Sequence, residues 1–293
     1  MRLCTKCRVP LTGDDWSCAS CGARPPVRDG WVELSTALDD ERGGFEVSGF
    51  SELFEHEASH FWFRSRNRLI AWAIRRYFPR PRRIFEIGCG TGFVLSHLER
   101  SFSDAELSGG EAYPEALAFA ATRLRRARLY QLDVRALPFE DEFDVVGAFD
   151  VLEHVPEDET ALAEMRRVTR ATGGVVLTVP QHPWLWSRSD ESAHHVRRYT
   201  RADLVAKVQR AGFDVVRCSS FVTSLLPPMI VSRWMARREP KEHVADREFA
   251  LPRALDAAFG AMLGAERAAI RAGLSLPVGG SLLLVARRRE EVR

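Results

Sequence analysis

Short apolar runs and amphipathic stretches take turns along most of this chain. RRIFEIG reads as a buried strand, and AELSGGEA, ARLYQLDV, FDVVGAFDVLEHV and GGVVLTVP as further strands. Between them TGFVLSHLER, PEALAFAATRL and DETALAEMRRVTR space apolar residues as helices do, with Pro114 in the first turn of the second. TRADLVAKVQRAGF is a further helix, capped by Thr200 with Asp203 at its N3 position, and Gly212 ends it before the strand FDVVRCSSF. Upstream, HEASHFWFRSRNRLIAWAIRRYF places Phe61, Leu69, Trp72, Ala73 and Phe78 near helical spacing, with Ser59 as N-cap and Pro79 and Pro81 closing it. Such alternation predicts an α/β fold with a doubly wound, mostly parallel sheet, since neighbouring parallel strands need a crossover that a helix supplies.

The pattern changes over 222–279. MIVSRWMARR and LPRALDAAFGAMLGAERAAIRAG are helical, the second with Leu255, Phe259, Met262 and Leu263 on one face, before GSLLLVARRR returns as a last strand. This helical insertion offers a lid, a homodimer face or a membrane-surface contact.

The front of the chain has no such rhythm. CTKCRVPLTGDDWSCASCG sets Cys4, Cys7, Cys18 and Cys21 in a C-x2-C-x10-C-x2-C pattern. Each two-residue gap lets a pair of thiolates turn onto one ion, and two pairs complete a closed tetrahedral zinc site. So short a segment buries too little apolar surface to fold alone, which makes metal binding its source of folding free energy. The expected organisation is a zinc ribbon over 1–30, a linker over 31–58 and an α/β domain over 59–293.

Charge changes the picture mainly by exclusion. Forty-two Lys and Arg against 40 Asp and Glu leave a net +2, which gives no global electrostatic case for nucleic acid. The arginine clusters RRYFPRPRR and RLRRAR read as solvated surface. No apolar run reaches the roughly 20 residues of a membrane span, and the first residues lack a secretory apolar core, so a cytoplasmic protein is expected.

Candidate chemistry centres on FEIGCGTGF. Its Gly88, Gly90 and Gly92 are spaced G-x-G-x-G, unlike the G-x-G-x-x-G of a dinucleotide loop, and no P-loop Gly-Lys-Ser/Thr follows. Glu86 precedes the glycines, and a carboxylate there repels phosphate and favours a cation. Glu111 ends the next strand, placed to accept both hydroxyls of a ribose, and Asp133 ends the third, placed to accept an exocyclic amine. Adenine, ribose and a cationic centre without phosphates describe S-adenosylmethionine.

FEIGCGTG, GGEAYP, LDVRALPF and FDVVGAFDVLEHV together resemble the class I S-adenosylmethionine-dependent methyltransferases, over about residues 60–221 plus the closing strand. The resemblance implies a Rossmann-like sheet of seven strands whose final two form an antiparallel hairpin. It implies Glu86, Gly88 and Gly90 at the methionine part of the cofactor, Glu111 at the ribose, Asp133 and Val134 at the adenine and Asp150 near the sulfonium. Cys89, Gly92 and Ala112 complete that set.

Methyl transfer needs alignment and, for a hydroxyl or carbon acid, a proton acceptor. FDVLEHVPEDE supplies Asp150, Glu153 and His154; SRSDESAHHVRRYTRADL supplies His194, His195 and Tyr199 among acids and arginines. One mechanism makes a histidine the general base. The other has Asp150, Glu153, His154 and a later histidine hold a second divalent cation such as magnesium, as in some O-methyltransferases of this class. Arg197, Arg198 and Arg64 or Arg66 are candidates to hold an anionic part of the substrate. The leading expectation is an enzyme acting on a small molecule: a sugar, quinone, lipid-linked or natural-product intermediate. An RNA methyltransferase docking through its ribbon, and a non-catalytic protein that retains the cofactor, are the alternatives.

Overall fold

The structure, a computed structural model, describes residues 1–13, 15–35, 49–236 and 251–290. Among them nine strands form one sheet: β1 (Val27–Arg28), β2 (Trp31–Glu33), β3 (Arg83–Ile87), β4 (Glu106–Glu111), β5 (Arg128–Gln131), β6 (Phe143–Phe149), β7 (Thr169–Pro180), β8 (Phe213–Phe221) and β9 (Ser281–Arg288). Their spatial order is β1-β2-β5-β4-β3-β6-β7-β9-β8. Strands β2 to β7 run parallel, while β9 lies antiparallel between β7 and β8. Nine helices accompany them among the described residues: α1 (Gly49–His56), α2 (Phe61–Tyr77), α3 (Phe93–Ser101), α4 (Pro114–Arg123), α5 (Asp158–Val168), α6 (Arg188–Ser192), α7 (Arg201–Arg210), α8 (Leu226–Ala236) and α9 (Arg253–Arg271).

Strand alternation builds two cores. Ile84, Val145, Val176, Leu283 and Val285 face one side, where Ile70, Ile74, Leu95, Leu98 and Leu117 cover them. Their chain neighbours Phe85, Val146, Val175, Leu177, Leu282 and Leu284 face the other, against Leu162, Met165, Leu204 and Val208. Because successive side chains on a strand point to opposite faces, a sheet covered on both sides needs this unbroken apolar run.

Seven strands, β3 to β9, are those the sequence predicts; the sheet gains two more. The hairpin β1–β2 adds an edge, with Trp31, Val32 and Glu33 paired to Leu129, Tyr130 and Gln131. WVE is too short to show a period, and Trp31, buried to 3%, is what seats it. The stretch read as a linker thus contributes a strand and α1, while its residues 36–48 lie outside the described residues, as do Arg237 and Arg238 of the predicted helix MIVSRWMARR.

The cysteine segment docks on the same edge. The Leu3 N–H donates to the Pro138 carbonyl at 2.9 Å, and Trp16 packs edge-on against Tyr130 and Phe139 with ring centres 5.7 and 5.5 Å apart.

Two local expectations shift. The N-cap of α2 is His60, whose ring accepts the Trp62 N–H, while the Ser59 hydroxyl turns back to the His56 carbonyl. On α9 the inward stripe is Phe259, Leu263 and Ile270, with Phe259 against Phe61; Leu255 and Met262 face solvent. Residues 255 and 262 stand about a fifth of a turn from the stripe that α2 covers, and helical spacing alone does not choose between adjacent apolar stripes.

The site follows from topology. Strand β3 has β4 on one side and β6 on the other, so successive crossovers leave it in opposite directions and open a crevice at the carboxyl ends of the strands.

Candidate active site

A cavity of about 560 Å³ occupies that crevice. The end of β3 and its loop supply Glu86, Gly88, Cys89 and Gly90; the end of β4 supplies Glu111 and Ala112; the residues after β5 supply Asp133 and Val134; and the residues after β6 supply Asp150 and His154. His195 enters from the loop after β7. Of the residues singled out from the sequence, Gly92, Glu153, His194 and Tyr199 do not line it, nor do Arg64, Arg197 and Arg198.

The glycine loop turns sharply because Gly88 and Gly90 both hold left-handed backbone, with φ of +64° and +51°. A Cβ on Gly88 would meet Val151 Cγ2 at 2.4 Å, whereas one on Gly90 would meet nothing within 4 Å among the described residues beyond its chain neighbours and would fill cavity space. Gly92 caps α3 and lies against Ala120 and Leu124 instead.

The acids differ in state. Glu86 is almost wholly buried and its Oε2 has no hydrogen-bond partner among the described residues. Burial pushes its pKa well above the usual carboxylate range, against the pull of the Arg66 guanidinium. A cationic ammonium group satisfies such an oxygen and restores its charge. Glu111 is also pushed up by burial, but it accepts the N–H groups of Gly90 at 2.9 Å and Ala112 at 2.7 Å, so it braces the loop as well as facing the cavity. Asp133 is gripped by the Arg135 side chain, with Nε 3.0 Å from both carboxylate oxygens. This donor set fits S-adenosylmethionine: an orphaned carboxylate for the amino group, an open glycine for close approach, and acids at the two next strand ends.

The cavity wall also carries, from α2, Arg66, one of the arginines expected to hold an anionic substrate part, together with Trp62 and Phe63, which the sequence did not single out. The Arg66 guanidinium stacks over Trp62, 4.5 Å from the ring centre, and is paired with Asp150. Asp150 itself has φ of +58° and accepts the Thr178 hydroxyl at 3.1 Å. The other arginines are engaged elsewhere: Arg197 with Asp158 and the Pro156 carbonyl, Arg198 with Asp190 and the Gln181 carbonyl, and Arg64 with Asp256.

That pairing weighs against the second divalent cation near Asp150, Glu153 and His154. Asp150 is taken up by Arg66 and Thr178, and Glu153 is fully buried outside the cavity lining. Burial first, then the Asp150 charge, drives the Glu153 carboxyl well above its usual pKa, which disfavours the charged form a cation would need. Glu153, His154 and His195 do bring a donor atom each within 4.8 Å of one another, a convergence without the aspartate.

The three histidine and tyrosine candidates separate clearly. Tyr199 is fully buried, and its hydroxyl donates to Asp158 Oδ2 at 2.7 Å and meets the Leu152 carbonyl at 3.1 Å; burial and Asp158 raise its pKa, so it braces the core under the site. Its apolar ring made it available to the core, and its position in a loop gave no sign of that. His194 is exposed. His154 lines the cavity, but burial and the neighbouring His195 and His194 push its pKa down to about 3, which makes it a weak base. His195 lines the cavity beside it, ring centres 4.7 Å apart, and its Nδ1 lies 2.8 Å from Asp190 Oδ1.

At the ribbon, Sγ atoms of Cys4 and Cys21, and of Cys7 and Cys18, are 3.6 Å apart. Four thiolates about 2.3 Å from a tetrahedral zinc stand about 3.8 Å from one another, so the cluster has the dimensions of a metal site. The N–H groups of Lys6 and Cys7 point at Cys4 Sγ, and the Cys7 contact leads in drawing that thiol's pKa down to about 6, toward the thiolate a metal requires.

Fold and site geometry are similar to those of the S-adenosylmethionine-dependent methyltransferases. Residues 85–177 match the family described as "Methyltransferase domain". The chain is similar to malonyl-[acyl-carrier protein] O-methyltransferase of Halorhodospira halophila, 30% identical over 165 residues that cover 52% of this chain and 56% of that protein. It is similar also to fatty-acid O-methyltransferase of Mycolicibacterium smegmatis, 30% identical over 170 residues that cover 54% and 60%. It thus spans little more than half the length of these relatives. Among solved structures, the complex of the Haloferax volcanii Trm112 methyltransferase activator with a methyltransferase shares the fold at a TM-score of 0.55 and 15% identity, over 84% of this chain and 96% of that one.

Proposed function

We propose that this protein transfers the methyl group of S-adenosylmethionine to a hydroxyl, or an acidic carbon, of a small-molecule acceptor, with His195 receiving the proton. The observation that carries this reading is the sharing of one cavity by the cofactor acids Glu86, Glu111 and Asp133 and the imidazole of His195. Bound S-adenosylmethionine supplies a methyl carbon already activated by its sulfonium. Trp62, Phe63 and Phe149 form an apolar wall that excludes water and takes the ring or hydrocarbon of an acceptor, and Arg66 gives that wall its positive charge. His195 would take the proton of the acceptor O–H, freeing an oxygen lone pair for the methyl carbon that S-adenosylmethionine would supply, the carbon–sulfur electron pair staying with sulfur.

The relatives' names point to fatty acids and malonyl-carrier protein, and a carboxylate acceptor is anionic before it binds. It needs no base. A histidine aimed into the cavity and held by a buried acid suits an acceptor that arrives protonated. The net charge of +2 speaks for a small molecule over RNA.

Calorimetry tests the cofactor, and labelled S-adenosylmethionine with hydroxylated acceptors tests transfer. Glu111→Ala or Asp133→Ala is expected to weaken cofactor binding tenfold or more, since losing one hydrogen bond to a charged group costs about 1.5–3 kcal/mol. Unchanged affinity in both variants refutes the cofactor site, and binding without transfer to any acceptor supports a non-catalytic protein.

A further inference from the structure

Asp190 lies outside the cavity lining yet is fully buried, at the N3 position of α6. Ser187 caps α6, with its backbone N–H and its hydroxyl 2.8 and 3.0 Å from Asp190 Oδ2. The Arg198 Nε donates to Oδ1 at 2.6 Å. These donors would satisfy a structural carboxylate without help from the cavity. Oδ1 nevertheless makes a further contact, with His195 Nδ1 at 2.8 Å, and the His195 backbone N–H donates to the Asp190 carbonyl at 2.8 Å. Backbone and ring of His195 are therefore both fixed to one residue. The turn that allows it places His194 in left-handed backbone at φ +54°, an unusual conformation for a residue with a side chain.

We propose that Asp190 is the positioning residue of the transfer, holding His195 in the tautomer with its proton on Nδ1 and leaving the Nε2 lone pair for the acceptor. This rests on the reading of His195 as the base. Although burial opposes its ionisation, the His195 hydrogen bond and the Arg198 charge keep the Asp190 carboxyl well below the usual range. An ionised carboxylate only accepts, so the proton of the shared hydrogen bond belongs to Nδ1. Around this pair stand His154 on the cavity side and Arg198 and Arg233 behind the acid. When the acceptor proton arrives on Nε2, the imidazolium that forms lies against the Asp190 charge, which stabilises it. The same carboxylate stops the ring from flipping, so a proton acceptor faces the cavity before the acceptor binds.

The test is long-range ¹H–¹⁵N NMR of the full chain labelled at histidine, saturated with S-adenosylhomocysteine at alkaline pH, with His195→Gln to assign the ring. The wild-type ring is expected as the Nδ1–H tautomer; an Nε2–H ring overturns the proposal without any variant. Asp190→Asn presents an amide that can donate, so the tautomer is expected to invert. Turnover on the acceptor found with labelled cofactor is then expected to fall about a hundredfold, with KM for S-adenosylmethionine unchanged. An unaltered tautomer in a folded Asp190→Asn protein also overturns the assignment. An inverted tautomer with full turnover leaves Asp190 as the group that sets the tautomer but refutes His195 as the base, and with it the part of Asp190 in the transfer, which separates the two failures.

Discussion

Alanine placed at Gly88 and at Gly90 separates packing from cofactor space, because the two glycines share a backbone conformation but not surroundings. Both φ angles are positive, and alanine in the left-handed region costs about 1–2 kcal/mol at either site. At Gly88 the new methyl also runs into Val151 at 2.4 Å, and overpacking of that kind adds about 1–3 kcal/mol. A methyl on Gly90 meets nothing within 4 Å among the described residues beyond its chain neighbours. With about 3 °C of Tm per kcal/mol for a domain of this size, Gly88→Ala is expected to lower Tm by about 10 °C and Gly90→Ala by about 5 °C. Cofactor binding inverts that ranking. The Gly90 methyl occupies the cavity itself, and overlap with a bound ligand of about 1–3 kcal/mol weakens affinity roughly tenfold to a hundredfold. Thermal unfolding followed by circular dichroism gives the first ranking, and titration calorimetry with S-adenosylmethionine gives the second. Adding Val151→Ala to Gly88→Ala should recover the part of the loss due to the clash and leave the backbone strain. If Gly90→Ala binds the cofactor as tightly as the unaltered protein, the loop is not its cradle and the reasoning fails.

Other outcomes follow from the same geometry. Glu86→Gln is expected to weaken S-adenosylmethionine binding yet raise stability at neutral pH. The raised pKa of Glu86 in the folded state means that its contribution to stability is present below the unfolded value and is lost as pH rises through the folded one, a loss the uncharged amide avoids; thermal melts across pH that show the same slope in both proteins would contradict this. Elemental analysis is expected to find about one zinc per chain, bound by Cys4, Cys7, Cys18 and Cys21, and Cys18→Ser should release it. A chelator mild enough to leave that zinc in place should leave turnover unchanged; a loss restored by magnesium would instead establish an ion at Glu153, His154 and His195.

Much of the fold was legible because its signals are local. Continuous apolar runs marked the strands buried on both faces, and Thr200 and Pro114 marked helix starts by groups that act within one turn, as the Asp203 N–H on the Thr200 hydroxyl at 3.1 Å bears out. The acids Glu86, Glu111 and Asp133 were legible for a related reason. In a parallel sheet every strand's carboxyl end reaches the same edge, so an order read along the chain becomes a cluster in space. Where two local options have similar chemistry, neighbouring residues alone do not choose between them, as with Ser59 and His60 at one cap and with the two apolar stripes of α9.

The sequence by itself determined the alternation that makes a doubly wound sheet, the glycine turn with its acids, and the four thiols spaced for a metal. Each depends on residue type at short separation, which physics reads without knowing the rest of the chain. Only the tertiary structure decided which polar groups were free to act. It buried Tyr199 against Asp158, tied Arg197 and Arg198 to acids, paired Asp150 with Arg66 across 84 positions of chain, and left His195 at the cavity with Asp190 behind it. A histidine among acids and arginines has many possible partners in sequence. Burial removes water as a competitor, and the partners that remain within hydrogen-bonding reach set its role.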